Sequence, residues 1–580
     1  MPANDRARPL PGLPDVTLER NVPCVTRDGT TLFADVYRPR GDGLFPVVLM
    51  RLPYDKTQAE NISYADPSWY ARHGYIVVIQ DTRGCCTAEG EFVPFLREAE
   101  DGYDAIEWAA RLPGANGKVG MYGFSYAGAT QLMPATLRPP SLTTVCPAMT
   151  ASEYYEGWTY NQGALALGFT MSWATDLASR QARRAGDDAA VGDLFTTFAN
   201  IKGWNWFLPL AGFPPLAGSY GHFFRDWLSH PTNDDYWRRW SINRDYGRLT
   251  VPALHVGGWY DIFLSGTVEN FRGMRAGAGT DEARAAQKLV IGPWLHMPWK
   301  PVNGSPDGRG VEPTVVDDLQ LRWFDQFLKG QDSGLLDNPV SLFIMGADTW
   351  RDYPDWPPPG TVETNWYLHS GGRANSRFGD GTLSREAPGD ESPDRFTYDP
   401  LYPTPSAGGH SCCLEFAAPM GPADQRGVEA FNGVLVYTSK PLAEPLEIIG
   451  DVSVTLYAAT TACDTDWTAR LCEVFPDGRS INLQEGIVRA RYRESLTDPS
   501  LLEPDRVYRY RIPLGPVGAR IAAGNCLRVT ISSSDFPQWD RNLNTGGPLF
   551  GEQVSAAVVA TQTILHDAEN ASFVTLPVVR

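Results

Sequence analysis

The 580-residue sequence lacks long apolar runs. No stretch approaches the length of a membrane span, and residues 1–15 contain nothing that resembles a signal-peptide core. Basic residues are fewer than acidic ones. The chain has 50 Lys and Arg and 68 Asp and Glu, which gives a net charge of −18. A surface that negative repels phosphate backbones and anionic lipid headgroups. We therefore expect a cytoplasmic protein with no nucleic-acid partner and no membrane partner.

Cysteine and histidine are also scarce, with nine and eight residues. An odd number of cysteines dispersed through a large chain predicts reduced thiols and disfavours a disulfide framework. The segment His410-Ser411-Cys412-Cys413 brings both residue types together, but no second pair at zinc-finger spacing follows it. We predict no metal and no cofactor.

The order of local patterns predicts three regions. In the first third, short apolar runs alternate with helical patterns, which is typical of βαβ units around a parallel sheet. The strand pattern disappears over 151–248, where Trp-rich helical segments predict an inserted helical cap, and it returns afterwards. Beyond a Pro-rich linker at 353–360, short β-branched runs predict an all-β sandwich. The predicted fold is α/β, with a core of residues 1–150 and 249–352, a cap of 151–248 and an all-β domain of 353–580.

The hexapeptide Gly123-Phe124-Ser125-Tyr126-Ala127-Gly128 follows the predicted strand Lys118–Tyr122. A nucleophile elbow needs a sharp strand-to-helix turn, which small residues around the serine permit. The match to G-x-S-x-G is incomplete, because Ala127 replaces the second glycine and Gly128 comes one residue later. The pattern predicts an α/β-hydrolase core with Ser125 as the nucleophile.

A serine hydroxyl needs a base and a group that orients the base, and this fold supplies them in the chain order Ser, acid, His. Asp261 follows the predicted strand Val251–Val256, and His296 follows Lys288–Ile291. His255 lies within a strand and is predicted to be a core histidine. We therefore predict Ser125, Asp261 and His296 as the catalytic residues.

Acyl transfer also requires donors for the oxyanion. The backbone N–H of Tyr126, directly after the nucleophile, is the first candidate. The second usually comes from a loop after an early strand, and there Tyr54 offers a phenolic O–H. The local sequence of Tyr54 fits a surface tyrosine slightly better.

Eight segments in order resemble the cocaine esterase (CocE/NonD) group of the X-Pro dipeptidyl-peptidase (S15) family, which also includes α-amino acid ester hydrolases. The resemblance spans nearly the whole chain and is carried by Arg51–Lys56, Asp81–Gly84, Gly123–Gly128, Gly258–Asp261, Gly292–His296, Trp323–Gly330, Asp464–Leu471 and Arg541–Gly546. The pair Cys85-Cys86 departs from it, since relatives usually carry glycine or small polar residues there.

The resemblance implies an α/β-hydrolase core, a helical cap after the elbow and a jelly-roll-like C-terminal domain. It also implies that Tyr54 is the side-chain oxyanion donor, that Trp158 and Trp173 wall the acyl pocket and that Phe263 lies beside the catalytic acid. Together with Trp259, these aromatic residues would form an apolar substrate pocket.

The resulting hypothesis is a serine carboxylesterase or amidase that acts on a small-molecule ester or amide with a bulky or aromatic acyl group, through an acyl-enzyme. An X-Pro dipeptidyl-peptidase or α-amino acid ester hydrolase stays open, with cap carboxylates Glu153, Glu156 or Asp176 pairing a substrate ammonium. A non-catalytic binding protein is the third alternative. The oligomeric state is open, and a homodimer is one expectation.

Overall fold

The structure is a computed structural model, and it describes residues 7–10, 13–58, 63–296 and 315–580. Strands and helices are numbered in chain order. Within the described part, the first sheet has eleven strands, in the spatial order β1-β2-β3-β5-β4-β6-β7-β10-β11-β12-β13. These strands are β1 (Ala7–Leu10), β2 (Leu13–Val25), β3 (Thr31–Pro39), β4 (Phe45–Leu52), β5 (Ile76–Asp81), β6 (Ala115–Phe124), β7 (Leu142–Ala148), β10 (Ala253–Tyr260), β11 (Gln287–Leu295), β12 (Val340–Ile344) and β13 (Thr349–Tyr353).

The centre of this sheet is parallel, from β5 through β4, β6, β7, β10 and β11 to β12. Parallel strands need helical crossovers, which cover both faces of the sheet. The helices around it are α1 (Pro67–Arg72), α2 (Glu98–Ala109), α3 (Tyr126–Ala135), α9 (Leu264–Gly277), α10 (Asp281–Ala285) and α11 (Val315–Lys329).

Strand β4 shows why both faces are apolar. Val47 and Leu49 pack into one buried cluster with residues of α2 and α3, whereas Val48 and Met50 pack into another with residues of α1 and α11. Side chains alternate between the two faces of a strand, so a strand with a helix layer on each side reads as a continuous apolar run. The continuous apolar sequence of β4 therefore follows from the position of this strand in the middle of the sheet, between two helix layers.

The region between β7 and β10 is mainly helical. Its elements are β8 (Tyr160–Asn161), β9 (Ala164–Leu165), α4 (Leu167–Ala185), α5 (Asp188–Ala199), α6 (Ile201–Trp204), α7 (His222–Ser229) and α8 (Asp235–Arg238). The short hairpin β8–β9 is the exception to the absence of strands that the sequence predicted here. No helix among the described residues combines the length and the apolar character needed to cross a bilayer.

The C-terminal region is all-β. Its strands are β14 (Thr361–His369), β15 (Thr382–Ser384), β16 (Asp394–Tyr398), β17 (Leu435–Ser439), β18 (Leu446–Thr460), β19 (Asp466–Val474), β20 (Ser480–Arg489), β21 (Tyr508–Ile521), β22 (Cys526–Ser532), β23 (Ala560–Leu565) and β24 (Phe573–Val579). They follow the order β16-β23-β18-β24-β14-β15-β17-β22-β19-β20, with β21 paired to β18. The predicted fold class is confirmed, and the exact domain boundaries stay a prediction.

One sequence-based expectation about cysteine is wrong. Cys412 and Cys413 are joined by a disulfide, whereas the odd cysteine count predicted reduced thiols throughout. Because the two residues are adjacent, the bond closes no loop between distant segments and adds no framework. A count of cysteines along a long chain does not reveal such a pair.

Candidate active site

Ser125 lies at the turn between β6 and α3. Its backbone has φ 60° and ψ −124°, and its amide donates to the carbonyl oxygen of Ala148 at 2.9 Å. A non-glycine residue at positive φ is strained and persists only where its surroundings hold it. This is the conformation that lifts a serine out of the sheet in a nucleophile elbow.

Two glycines make this turn sterically possible. A Cβ on Gly123, which has φ +135°, would lie 2.6 Å from the Cβ of Ala127. A Cβ on Gly128 would lie 2.7 Å from the Cβ of Thr150. The methyl group of Ala127 therefore occupies space that Gly123 leaves open. The second position of the turn that has no room for a side chain is residue 128. This explains the incomplete match to the usual motif.

Asp261 and His296 follow β10 and β11, which are parallel neighbours. Their side chains are buried, and Nδ1 of His296 lies 2.6 Å from Oδ1 of Asp261. With Nδ1 occupied, Nε2 is the nitrogen that can accept a proton, and it has no hydrogen-bond partner among the described residues. The rings of Phe124 and Phe263 pack against the imidazole at 5.6 and 5.2 Å.

Ser125 and His296 line one cavity of about 560 Å³, a size typical of small-molecule sites. One face of α4 forms a wall of the cavity, because residues three, four and seven apart share a side of a helix. The other walls come from the loop after β4, the elbow, α5 and a loop of the all-β domain. The lining residues are Leu52, Tyr54, Asp55, Gln58, Phe124, Ser125, Phe169, Ser172, Trp173, Asp176, Arg180, Arg183, Phe198, His296, Cys413 and Leu414.

The backbone amide of Tyr126, and not its phenol, is the candidate oxyanion donor. Tyr126 is the first residue of α3, and the first N–H groups of a helix have no intrahelical acceptor. Its phenol donates to Glu98 at 2.9 Å and accepts from the amide of Phe95, and burial raises the pKa of this phenol well above its ordinary value. The side chain is therefore part of the core.

Tyr54 is not a surface tyrosine, which corrects the reading of its local sequence. Its hydroxyl lines the cavity and accepts a hydrogen bond from Nε1 of Trp173 at 3.1 Å. The guanidinium of Arg180 lies 5.4 Å from the ring centre and donates to the Tyr54 carbonyl at 3.1 Å. A tyrosine hydroxyl is able both to accept a hydrogen bond and to donate one.

Only some of the predicted pocket residues line the cavity. Trp173 lines the cavity, and Phe169, which the sequence did not single out, lines it beside Trp173 with the two rings stacked at 5.6 Å. Trp158 and Phe263 stack on each other at 4.1 Å without lining the cavity. Since Trp158 contacts Trp173 at 5.5 Å, the pair forms a second aromatic layer behind the wall.

The structure contradicts the prediction that Trp259 belongs to the aromatic pocket. The indole N–H of Trp259 donates to the carbonyl of Phe343 at 2.5 Å, and its ring lies 6.3 Å from that of Trp356, in the core shared with the all-β domain. A buried indole needs an acceptor for its N–H, and this acceptor lies on β12, away from the cavity. Trp259 therefore does not line the cavity that contains Ser125 and His296.

The sequence did not predict that the all-β domain reaches this site. Cys413 and Leu414 belong to the segment between β16 and β17 and line the cavity. Nearby, His410 contacts the carbonyl oxygen of Trp259 through Nε2 at 2.7 Å and Oε1 of Glu485 through Nδ1 at 2.9 Å. The one available signal was the cluster of His and Cys at 410–413.

The contact between His410 and Glu485 shifts both pKa values. Burial opposes the charge of His410, but the Glu485 carboxylate outweighs it and raises the pKa of the imidazole. Burial would likewise raise the pKa of Glu485, whereas the facing His410 and then Arg470 lower it to about 2. The raised pKa favours the protonated imidazole, which can donate from both nitrogens.

The cap carboxylates considered for amine binding lie in different places. Glu156 accepts from the Gln162 amide and side chain at 2.8 and 3.0 Å, outside the cavity lining, and burial raises its pKa to about 7. Glu153, also outside it, accepts from Asn233. Asp176 lines the cavity, but the guanidinium of Arg180 lies 2.7 Å from it.

Two groups in the described ranges bring metal-ligating atoms within 4.8 Å of one another. One consists of His296, Cys412 and Cys413. The other consists of Asp55, Asp81 and Cys86, where Asp81 already binds the ammonium of Lys56 at 3.0 Å. The second group is therefore partly neutralised by a protein cation.

Comparisons with known proteins agree with this architecture. The family profile described as X-Pro dipeptidyl-peptidase (S15 family) matches residues 28–298, and that of the X-Pro dipeptidyl-peptidase C-terminal non-catalytic domain matches 336–575. The cocaine esterase of Rhodococcus sp. (strain MB1 Bresler) is 37% identical over 573 residues, covering 97% of this chain and 98% of that protein.

Two solved structures are similar over nearly their whole length. An aminopeptidase from a marine sediment Thaumarchaeota archaeon has a TM-score of 0.80 at 25% identity, covering 98% of this chain and 97% of that one. An α-amino acid ester hydrolase has a TM-score of 0.76 at 24% identity, covering 97% of each chain. The second likeness concerns the fold alone.

Proposed function

Because this chain belongs to the X-Pro dipeptidyl-peptidase (S15) family and is a serine hydrolase of an ester or amide, we propose that it cleaves small-molecule esters with a bulky or aromatic acyl group. The observation that carries the proposal is one cavity in which Ser125 and a His296 paired to Asp261 stand beside the aromatic wall of Phe169 and Trp173. The name of the cocaine esterase relative supports an ester as the substrate.

In the proposed mechanism, the Ser125 hydroxyl attacks the acyl carbon while Nε2 of His296 takes its proton. Asp261 holds the imidazole through Nδ1 and stabilises the imidazolium. The Tyr126 amide and the Tyr54 hydroxyl stabilise the oxyanion. His296 then protonates the leaving alcohol, and water attacks the acyl-enzyme by the same route to release the acid.

The acyl group is assigned to the aromatic wall. Flat π faces at Phe169 and Trp173 favour an aromatic ring, which buries more apolar area than an acetyl group. The cavity of about 560 Å³ has room for such a substrate. The pairing of Asp176 with Arg180 leaves that carboxylate less suited to a substrate ammonium.

An acyl group with a free amine is the second candidate. The observation in its favour is Asp55, which lines the cavity and forms no ion pair with the described residues. The name of the archaeal aminopeptidase neighbour is consistent with such a substrate. An N-terminal amine would pair with Asp55 as an ammonium.

The experiment compares kcat/KM for p-nitrophenyl esters of benzoate, acetate, phenylalanine and N-acetyl-phenylalanine, with Ser125→Ala as the blank. We expect benzoate to exceed acetate and the N-acetylated ester to exceed the free-amine ester. A preference for the free amine that Asp55→Asn removes would select the second candidate. Turnover by Ser125→Ala at the wild-type rate would refute both.

A further inference from the structure

Two adjacent cysteines of the all-β domain lie beside His296. Cys412 is buried, whereas Cys413 is exposed and lines the cavity. Their sulfur atoms and one ring nitrogen of His296 lie within 4.8 Å of one another. Nδ1 of His296 already contacts Asp261, so Nε2 is the nitrogen left for a ligand. Three metal-ligating groups thus converge at the cavity wall.

The segment that carries the cysteines is held in place. Gly409 and Gly421 exchange two backbone hydrogen bonds of 2.8 Å, which close its base. His410 ties it to Trp259 of the catalytic core and to Glu485 of the all-β domain. The sulfurs are therefore presented to His296 by an anchored loop, so their approach is a feature of the fold.

An imidazole and two thiolates form a ligand set that favours Zn²⁺ and other thiophilic divalent cations. A Zn–S bond of about 2.3 Å and a Zn–N bond of about 2.0–2.1 Å together span at most about 4.4 Å. A distance of up to 4.8 Å between a sulfur and the ring nitrogen is therefore closed by small rotations of the side chains once the disulfide is reduced. Three protein ligands leave a fourth position for water, and the net charge of −18 raises the local concentration of cations.

We propose that Cys412, Cys413 and His296 form an inhibitory site for a thiophilic divalent cation such as Zn²⁺, which becomes available when the Cys412–Cys413 disulfide is reduced. The disulfide form has no thiolate to bind a metal. Two molecules of a small thiol attack in turn and leave as their own disulfide, while each cysteine sulfur receives a proton. The cation then displaces one proton from each thiol and bonds to both sulfurs.

The consequence for turnover rests on the proposed function. A metal on Nε2 of His296 occupies the lone pair that would take the proton of Ser125. The reduced, metal-bound protein is therefore inactive, and the disulfide form is protected from the metal. The cysteine pair makes the sensitivity of the enzyme to thiophilic metals dependent on its redox state.

The test uses Cd²⁺, because cadmium–thiolate bonds absorb in the ultraviolet. Full-length Ser125→Ala protein is titrated before and after reduction by a small thiol and removal of that thiol. We expect the absorption band only after reduction.

Cys412→Ser and Cys413→Ser, each added to Ser125→Ala, should weaken Cd²⁺ binding by at least roughly tenfold. Cys526→Ser serves as the matched control and should leave the binding unchanged, as should Cys86→Ser, which removes the cysteine of the second group.

The outcomes separate this inference from the proposed function. If reduction produces no band, or if the band survives in Cys412→Ser and Cys413→Ser, the site does not exist. In parallel, Cd²⁺ should lower ester turnover by reduced wild-type protein and leave the oxidised protein unaffected. Binding without loss of turnover would overturn the inhibitory role. Failure to hydrolyse any ester would contradict the proposed function, while the titration would still decide the metal site.

Discussion

His410 contacts the carbonyl oxygen of Trp259 at 2.7 Å, two residues before Asp261. A side chain of the all-β domain therefore contacts the end of β10, directly before the proposed catalytic acid. The other ring nitrogen faces Glu485 at 2.9 Å, and this carboxylate raises the pKa of His410 against the opposing effect of burial. The imidazole that reaches the first sheet is thus itself paired with a carboxylate of the all-β domain.

Replacing His410 with Gln should lower the unfolding temperature by an amount that depends on pH. A group whose pKa is raised on folding contributes stability in full below its unfolded pKa of about 6.5, and loses it as the pH rises through the folded value. Loss of a charged hydrogen bond costs about 1.5–3 kcal/mol. We expect a difference of several degrees at about pH 6 and a smaller one at about pH 9. His222→Gln is the control, and a difference for His410→Gln that does not change with pH would contradict this account.

Replacing Tyr54 with Phe should lower kcat and leave the fold intact. The variant keeps the ring under Arg180 but loses the proposed oxyanion donor, which is worth about 2.7–4 kcal/mol, or roughly 10²–10³ in rate. Steady-state kinetics with a benzoyl ester measure this effect. Tyr220→Phe, which loses only a hydrogen bond to Asp187 outside the cavity, is the matched control. An unchanged kcat for Tyr54→Phe would mean that the oxyanion is held by other donors.

Replacing Gly123 with Ala should destabilise the elbow. The new methyl group would lie 2.6 Å from the Cβ of Ala127, at a φ of +135° that an L-residue rarely adopts. We expect a loss of about 1–3 kcal/mol, measured by thermal or denaturant unfolding, together with lower activity. Gly192→Ala is the control, because it lies on α5 with open space around it and should be neutral or stabilising. Equal stabilities for the two variants would argue against the packing described here.

Trp173 and Trp259 should respond differently to replacement by Phe. Trp173 lines the cavity and donates to Tyr54, so Trp173→Phe should change KM and the preference between benzoyl and acetyl esters. Trp259 donates to Phe343 in the core, so Trp259→Phe should lower stability by about 1–3 kcal/mol and leave that preference unchanged. A change of acyl preference in Trp259→Phe alone would restore Trp259 to the pocket.

The sequence predicted residues whose roles follow from local pattern and chain order. Ser125, Asp261 and His296 each come directly after an apolar strand, and parallel strands bring their carboxyl ends to one edge of the sheet. The direction of a side chain at such an edge is decided by packing that local sequence does not contain. For this reason the sequence predicts Trp259 in the pocket and does not single out Phe169.

The contribution of the all-β domain to the cavity could not be predicted from the local sequence for a different reason. Cys413 reaches a cavity whose other walls come from residues 52–296, across a domain boundary. His410 and Tyr54 show the same limit, because each looks ordinary in its own segment and gains its role from a partner more than one hundred residues away. Contacts of this kind depend on how the domains pack.

The central claim is that Ser125 becomes acylated during turnover. The most direct measurement is the intact mass of the folded protein after reaction with a fluorophosphonate, combined with the residual esterase rate. We predict a single adduct, located on Ser125 by peptide mapping, and a loss of activity proportional to the labelled fraction. The Ser125→Ala variant should take up no label and should not turn over. Full esterase activity in labelled protein, or an adduct on another residue that abolishes activity, would contradict the account.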